Sequence, residues 1–185
     1  MKRIFTIFSV FAMTVIVTNT NAQTKKETKE NKSRISFGVD AGIPSGGFGR
    51  TAKWNLGGSV QADLNIAKNV LYLTANAGFN YTYAERGTKG DISMIPVKAG
   101  LKFMPVNFFY IQAEAGTSFV TNAKDIDADR SVLFTYAPQT GFLIPLGKGN
   151  FIDAGIRYES NSRLYKSSSR PDFWGLRIAY AFNLK

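Results

Sequence analysis

The residues that could do chemistry are defined first by what is missing. The 185-residue chain has no histidine and no cysteine. That removes the usual zinc and copper ligands, thiol nucleophiles, disulfides and every mechanism built on an imidazole base. A serine nucleophile would need another base, and Lys98 or Lys102 reads more economically as an ion-pair partner than as a catalytic one. Asp125, Asp127 and Asp129 alternate like the ligands of a calcium loop. The glycine and closing glutamate of such a loop are absent, however, and Arg130 follows at once, so a solvated acidic loop is expected. No enzyme activity, cofactor or metal is expected.

Two groups of side chains remain. Arg34, Lys98, Lys102, Arg157 and Arg177 share one strand face with Asp40, Asp63, Glu114, Asp153 and Glu159, five cations against five carboxylates. A closed polar interior has to be near neutral, because a buried charge is costly unless paired, whereas an open surface on a basic protein need not balance. The second group is Arg50, Lys53 and Trp54 in one polar stretch and Arg163, Tyr165, Lys166 and Arg170 in another. Cations beside aromatics suit lipid or polysaccharide phosphates, and they equally suit an ordinary polar rim.

The elements that position these groups are strands. From Arg34 onward the apolar residues recur with period two, as side chains do on alternate faces of a strand. Trp174, Leu176, Ile178, Tyr180, Phe182 and Leu184 fall on one face against Gly175, Arg177, Ala179, Ala181 and Asn183 on the other. The same split recurs over Asn55–Ile66, Leu71–Tyr83 and Phe109–Phe119, and more weakly over Arg34–Ile43, Ile92–Met104, Val132–Ile144 and Asn150–Ser160, which makes eight strands. Pro96 and Pro138 each remove a ladder donor, so a bulge or kink is expected at both. Tight turns are expected at Lys68-Asn69, Pro105-Val106-Asn107 and Gly147-Lys148-Gly149, and longer polar loops over residues 44–54, 84–91, 121–130 and 161–172. Short turns and both ends of this region lie at one end and long loops at the other, the plan of an outer-membrane barrel with periplasmic termini. If residues 105–107 form the turn, Lys98 lies opposite Glu114.

Residues 1–22 read as a signal peptide. Lys2 and Arg3 precede an uncharged, mainly apolar run from Ile4 to Val17 that is too short to span a bilayer, and Thr20-Asn21-Ala22-Gln23 is a small-residue cleavage pattern. Cutting after Ala22 removes Lys2 and Arg3 and lowers the formal charge from +10 to +8. Residues 23–33, rich in lysine and glutamate, read as a disordered polar leader, and residues 34–185 as the barrel domain. A basic exported chain meets anionic lipid and polysaccharide rather than nucleic acid.

Alternation alone leaves the facing open: apolar side inward in a soluble periplasmic carrier, or outward in a membrane barrel. The polar face is built of Gly, Ser, Asn, Gln and Ala, as a crowded small-barrel interior requires. Tyr81, Tyr83, Phe119, Phe134, Tyr158 and Trp174 cluster toward the loops, and Phe103, Phe109, Tyr180 and Phe182 toward the turns, as two interfacial girdles would. Signal peptide, eight segments, alternating turn lengths and a closing aromatic strand together resemble the small eight-stranded outer-membrane barrels of the OmpX and OmpA type. Asn21-Ala22-Gln23, Ile95-Pro96-Val97-Lys98 and Tyr136-Ala137-Pro138 are similar to segments of the outer-membrane β-barrel domain proteins of Bacteroidetes. The resemblance implies an all-β, antiparallel, up-and-down transmembrane barrel in a Gram-negative outer membrane. It implies a monomer in contact with outer-membrane lipid and lipopolysaccharide, folded by the barrel assembly machinery. A structural or surface-interaction role through the outer loops is expected, with a narrow channel or the soluble carrier as alternatives.

Overall fold

The computed structural model describes residues 33–86, 90–165 and 170–184. The expected signal peptide and nearly all of the leader lie outside the described residues, as does Lys166.

The alternating segments form eight strands: β1 (Arg34–Pro44), β2 (Ala52–Ala67), β3 (Leu71–Ala84), β4 (Ile92–Val106), β5 (Phe109–Val120), β6 (Val132–Gly147), β7 (Asn150–Asn161) and β8 (Asp172–Asn183). Each pairs antiparallel with its sequence neighbour, and β8 returns to β1, so the sheet is a closed up-and-down barrel without edges. Arg34 at the start of β1 is paired with Asn183 at the end of β8, which puts both ends of the barrel domain beside the short turns. A short 3₁₀ helix, Gly46–Arg50, fills the β1–β2 loop.

The short turns follow local backbone preference. Lys68 and Asn69 have φ of 43° and 58°, and Lys148 and Gly149 have 55° and 82°. Consecutive positive φ values give the mirror-image turn whose twist matches that of the flanking strands, and asparagine and glycine adopt it readily.

The β4–β5 turn differs from expectation. It is Asn107-Phe108, closed by Val106 opposite Phe109, with a register irregularity between Phe103 and Val106. The ladder above it pairs Lys98 with Gly116 and Gly100 with Glu114, two residues away from the expected register. The expected bulges at the prolines are absent as well. β3 and β4 pair at Ala77/Val97 and again at Asn80/Met94, and β6 and β7 at Tyr136/Ser160 and Gln139/Arg157, so pairing lapses beside Pro96 and Pro138 while the register continues. The missing N–H costs one local contact on one side of the strand and shifts nothing. The register shifts lie near strand ends: Ala52/Trp54 and Asn65/Ala67 in β2, Phe103/Val106 in β4 and Pro145/Gly147 in β6.

The facing is settled by exposure. Phe37, Val39, Val97, Leu101, Ile111, Phe134, Phe142, Leu176 and Ile178 are exposed on the outer surface, while the alternate residues are buried. An apolar outside around a polar inside is the arrangement of a barrel in lipid, and the reverse of a soluble carrier.

Candidate functional site

All ten charged residues of the inner face are buried, and ion pairs among the described residues join nine of them, all but Arg34, in two layers. In the layer nearer the loops, Arg157 binds Asp40 at 2.9 Å and lies 3.7 Å from Glu159, and the Lys98 ammonium binds Glu159 at 2.6 Å. Ser59 donates to Asp40 at 2.8 Å and Asn80 to Glu159 at 3.4 Å. In the layer nearer the turns, Lys102 binds Asp63 at 2.7 Å and approaches Asp153 at 3.5 Å, and Arg177 reaches Asp153 at 3.4 Å. Arg177 also donates to Ser36 and Ser59, and Gln61 bridges Asp63 and Gln112. A low-dielectric interior tolerates these groups because nearly every charge meets its opposite with hydrogen bonds besides.

Lys98 and Glu114 do approach, but only to 3.9 Å, because the two-residue shift of register leaves them diagonal instead of opposite. Neither carboxylate oxygen of Glu114 has a hydrogen-bond partner, although the side chain is buried.

Apolar side chains bracket the charged layers. Toward the turns, Tyr72, Met104, Tyr110 and Leu143 cluster with Phe151 beside them. Arg34 lies over the Tyr72 ring at 4.4 Å and Lys102 over the Tyr110 ring at 4.4 Å, so cation–π contact joins the ionic layer to the aromatic one. The Tyr110 hydroxyl donates to Asp153 at 2.7 Å. Its ring fits because Gly141 and Gly155 face each other there: a Cβ on either would sit 2.6 Å from the Tyr110 oxygen.

Toward the loops, Met94, Leu133, Phe173, Ile92 and Val120 from the strands bury against Phe48, Ile126 and Leu164 from the loops. This cluster was not expected from the sequence. Its signal is present all the same, since Met94, Leu133 and Phe173 sit at the inward parity of Lys98, Thr135 and Arg177 but are apolar. They are the anchors on which the loops close.

The loop candidates divide. Tyr165 is a clamp: its hydroxyl donates to the Ile126 carbonyl at 2.7 Å, and burial together with the Asp127 and Asp129 carboxylates pushes its phenol pKa up. Trp54 stacks on Tyr83 at 4.1 Å, and Lys53 pairs with Glu85 at 3.4 Å. Arg50, Arg163 and Arg170 are exposed. Asp125, Asp127 and Asp129 are exposed; the first two lie on a helical turn that ends at Asp127, φ 49°, where Ala128 N–H bonds Ala123 O and Asp127 N–H bonds Lys124 O, and Asp129 follows it. That C-terminal cap accounts for the left-handed aspartate without a metal. No group of three or more ligating side chains is gathered among the described residues. In the β3–β4 loop, Asp91 accepts from the Ala84 N–H at 2.8 Å and the Tyr81 hydroxyl at 2.6 Å, which hold its carboxyl below the usual aspartate range.

No protein-family model matches the chain, and no curated protein sequence does. Solved structures do. OprG of Pseudomonas aeruginosa aligns with a TM-score of 0.55 at 13% identity, over 83% of this chain and 96% of that one. Ail of Yersinia pestis, in a phospholipid nanodisc, aligns with a TM-score of 0.53 at 18% identity, over 83% and 100%. The outer membrane enzyme PagL aligns with a TM-score of 0.55 at 16% identity, over 80% and 99%. The likeness is one of fold: the chain has the fold of the small eight-stranded transmembrane β-barrels.

Proposed function

We propose that this protein is a non-enzymatic integral outer-membrane barrel of a Gram-negative bacterium, of the OmpX-like kind found in Bacteroidetes. It acts as a monomer, with its interior closed to ions, through the loop end, against lipid and lipopolysaccharide. The observation that carries this reading is the layered inside: ten buried charges, nine of them in ion-paired layers, bracketed by one apolar cluster toward the turns and another under the loops. An ion crossing such a lumen would have to break buried pairs and pass two apolar constrictions, whereas a porin keeps a wide aqueous path.

The fold does not decide between interaction and catalysis, since PagL is itself described as an enzyme. The absence of histidine and cysteine from the whole sequence supports the non-enzymatic reading. The rim cations and aromatics support contact with phosphate-bearing lipid.

The test is conductance of the refolded full-length protein in a planar bilayer. No steady current is expected above the unmodified membrane. A steady open current would overturn the closed interior and favour the narrow channel.

A further inference from the structure

The outer wall of the barrel is not uniform. Near the loop end, a cleft of about 400 Å³ opens on the outer face across β7, β8, β1 and β2, lined by Ala41, Ile43, Trp54, Ile156, Trp174 and Leu176. Two features of the chain make it. Ala41 is the small residue of its outward row, set between Leu56 on β2 and Leu176 on β8. β1 also leaves β2 early: their pairing stops at Gly42/Asn55, while β1 stays paired with β8 as far as Pro44/Phe173. The floor is backbone, with Gly42 opposite Gly175. The walls are two indoles, Trp54 resting on Tyr83 at 4.1 Å and Trp174 on Tyr158 at 5.0 Å.

The loop end just beyond this cleft carries cations. The 3₁₀ helix that joins β1 to β2 ends in the exposed Arg50, and the exposed Arg170 lies two residues before β8, so the segments leading out of β1 and into β8, two of the cleft's strands, each carry a guanidinium; Lys53, beside Trp54, is paired with Glu85. An apolar slot with a cationic mouth complements a molecule with an acyl chain and a phosphate at one end. We propose that this cleft is a binding site for one anionic lipid, with an acyl chain between Trp54 and Trp174 and its phosphate at Arg50 and Arg170. This deepens the membrane reading and rests on it: in lipid, the slot holds hydrocarbon in any case, and the cations select the headgroup.

The sequence supplies a reporter, since Trp54 and Trp174 are the chain's two tryptophans. The refolded full-length protein is placed in phosphatidylcholine vesicles containing a small fraction of lipid with brominated acyl chains, which quench indole fluorescence on contact. Brominated phosphatidylglycerol is expected to quench at least about fivefold more effectively than brominated phosphatidylcholine, the selectivity that either one of the two guanidiniums alone would confer. Ala41→Leu fills the slot without changing charge, and the double variant Arg50→Gln, Arg170→Gln removes the mouth. Each is expected to bring phosphatidylglycerol down to the phosphatidylcholine level. Equal quenching by both lipids in the unaltered protein would overturn the site and leave the membrane placement standing. A preference that survives Ala41→Leu would overturn the cleft as its source, and one that survives the double arginine variant would overturn the headgroup contact. No quenching by either lipid would overturn the membrane placement and the site together.

Discussion

Glu114 and Glu159 are two buried carboxylates beside one ammonium, at 3.9 Å and 2.6 Å from Lys98. Around them, among the described residues, Asp40, Glu114 and Glu159 form ion pairs only with Lys98 and Arg157, so one carboxylate is in excess, and Glu114 is the one without a hydrogen bond. Removing Glu159 takes from Lys98 its close partner at 2.6 Å, while Arg157 keeps Asp40 at 2.9 Å, and losing one partner of a buried pair costs about 3–5 kcal/mol. Glu159→Gln is therefore expected to destabilise by that amount in urea unfolding from lipid vesicles. Glu114→Gln is expected to cost less than about 1 kcal/mol, since no formed hydrogen bond is lost. Equal losses would show that the two carboxylates share Lys98 equally. The inward position of all ten charges was legible from strand parity. Their pairing was not: it depends on where the turn falls and on the irregularity between Phe103 and Val106, which together set Lys98 opposite Gly116 instead of Glu114.

Strands and loops hold for different reasons. The strands were legible because each alternation persists over many residues, and both prolines were tolerated because each spoils pairing on one side only. The loops were legible in length but not in content. Phe48, Ile126 and Leu164 occupy segments that read as polar, and their burial depends on inward apolar residues far away in sequence. Two predictions belong at this scale. Ile178, 57% exposed on the outer face and paired with Val39 in the middle of β1, is expected near the hydrocarbon midplane, and Ile178→Arg should destabilise by about 2–4 kcal/mol. An unchanged unfolding midpoint in lipid would contradict that depth. Asp91 ties the start of the β3–β4 loop through Ala84 and Tyr81. Its folded pKa is depressed, so its contribution is complete above the ordinary aspartate pKa of 3.8 and is lost as pH falls through the lower folded value. Exchange of the Ala84 amide is expected to accelerate, relative to strand amides, in that acidic window and not above it. Asp91→Asn should remove the pH dependence, and a dependence that survives it would contradict the assignment.

At the scale of the whole molecule, three features act together: an apolar outer surface, a paired charged interior, and an apolar cluster toward each end. Closure into a ring removes the strand edges, and the small inner-face residues leave room for Tyr72, Tyr110, Lys102 and Arg177, all of which are essentially inaccessible. The outer surface and the charged interior were readable from alternation and composition, whereas the apolar clusters arise only when residues far apart in the chain meet, from distant strands toward the turns and from loops and strands toward the other end. The measurement that tests this account most directly is spin-label accessibility, made simple by the absence of native cysteine. Single cysteines at Val39, Val97, Ile111, Leu176 and Ile178 on the outer face, and at Gln112, Thr135 and Ala179 on the inner face, would be labelled before refolding into lipid vesicles. The account predicts contact with dissolved oxygen but not with a water-soluble nickel chelate at the outer positions, and contact with neither at the inner ones. Nickel contact at the outer positions would contradict the membrane placement, and nickel contact at the inner positions would contradict the closed interior.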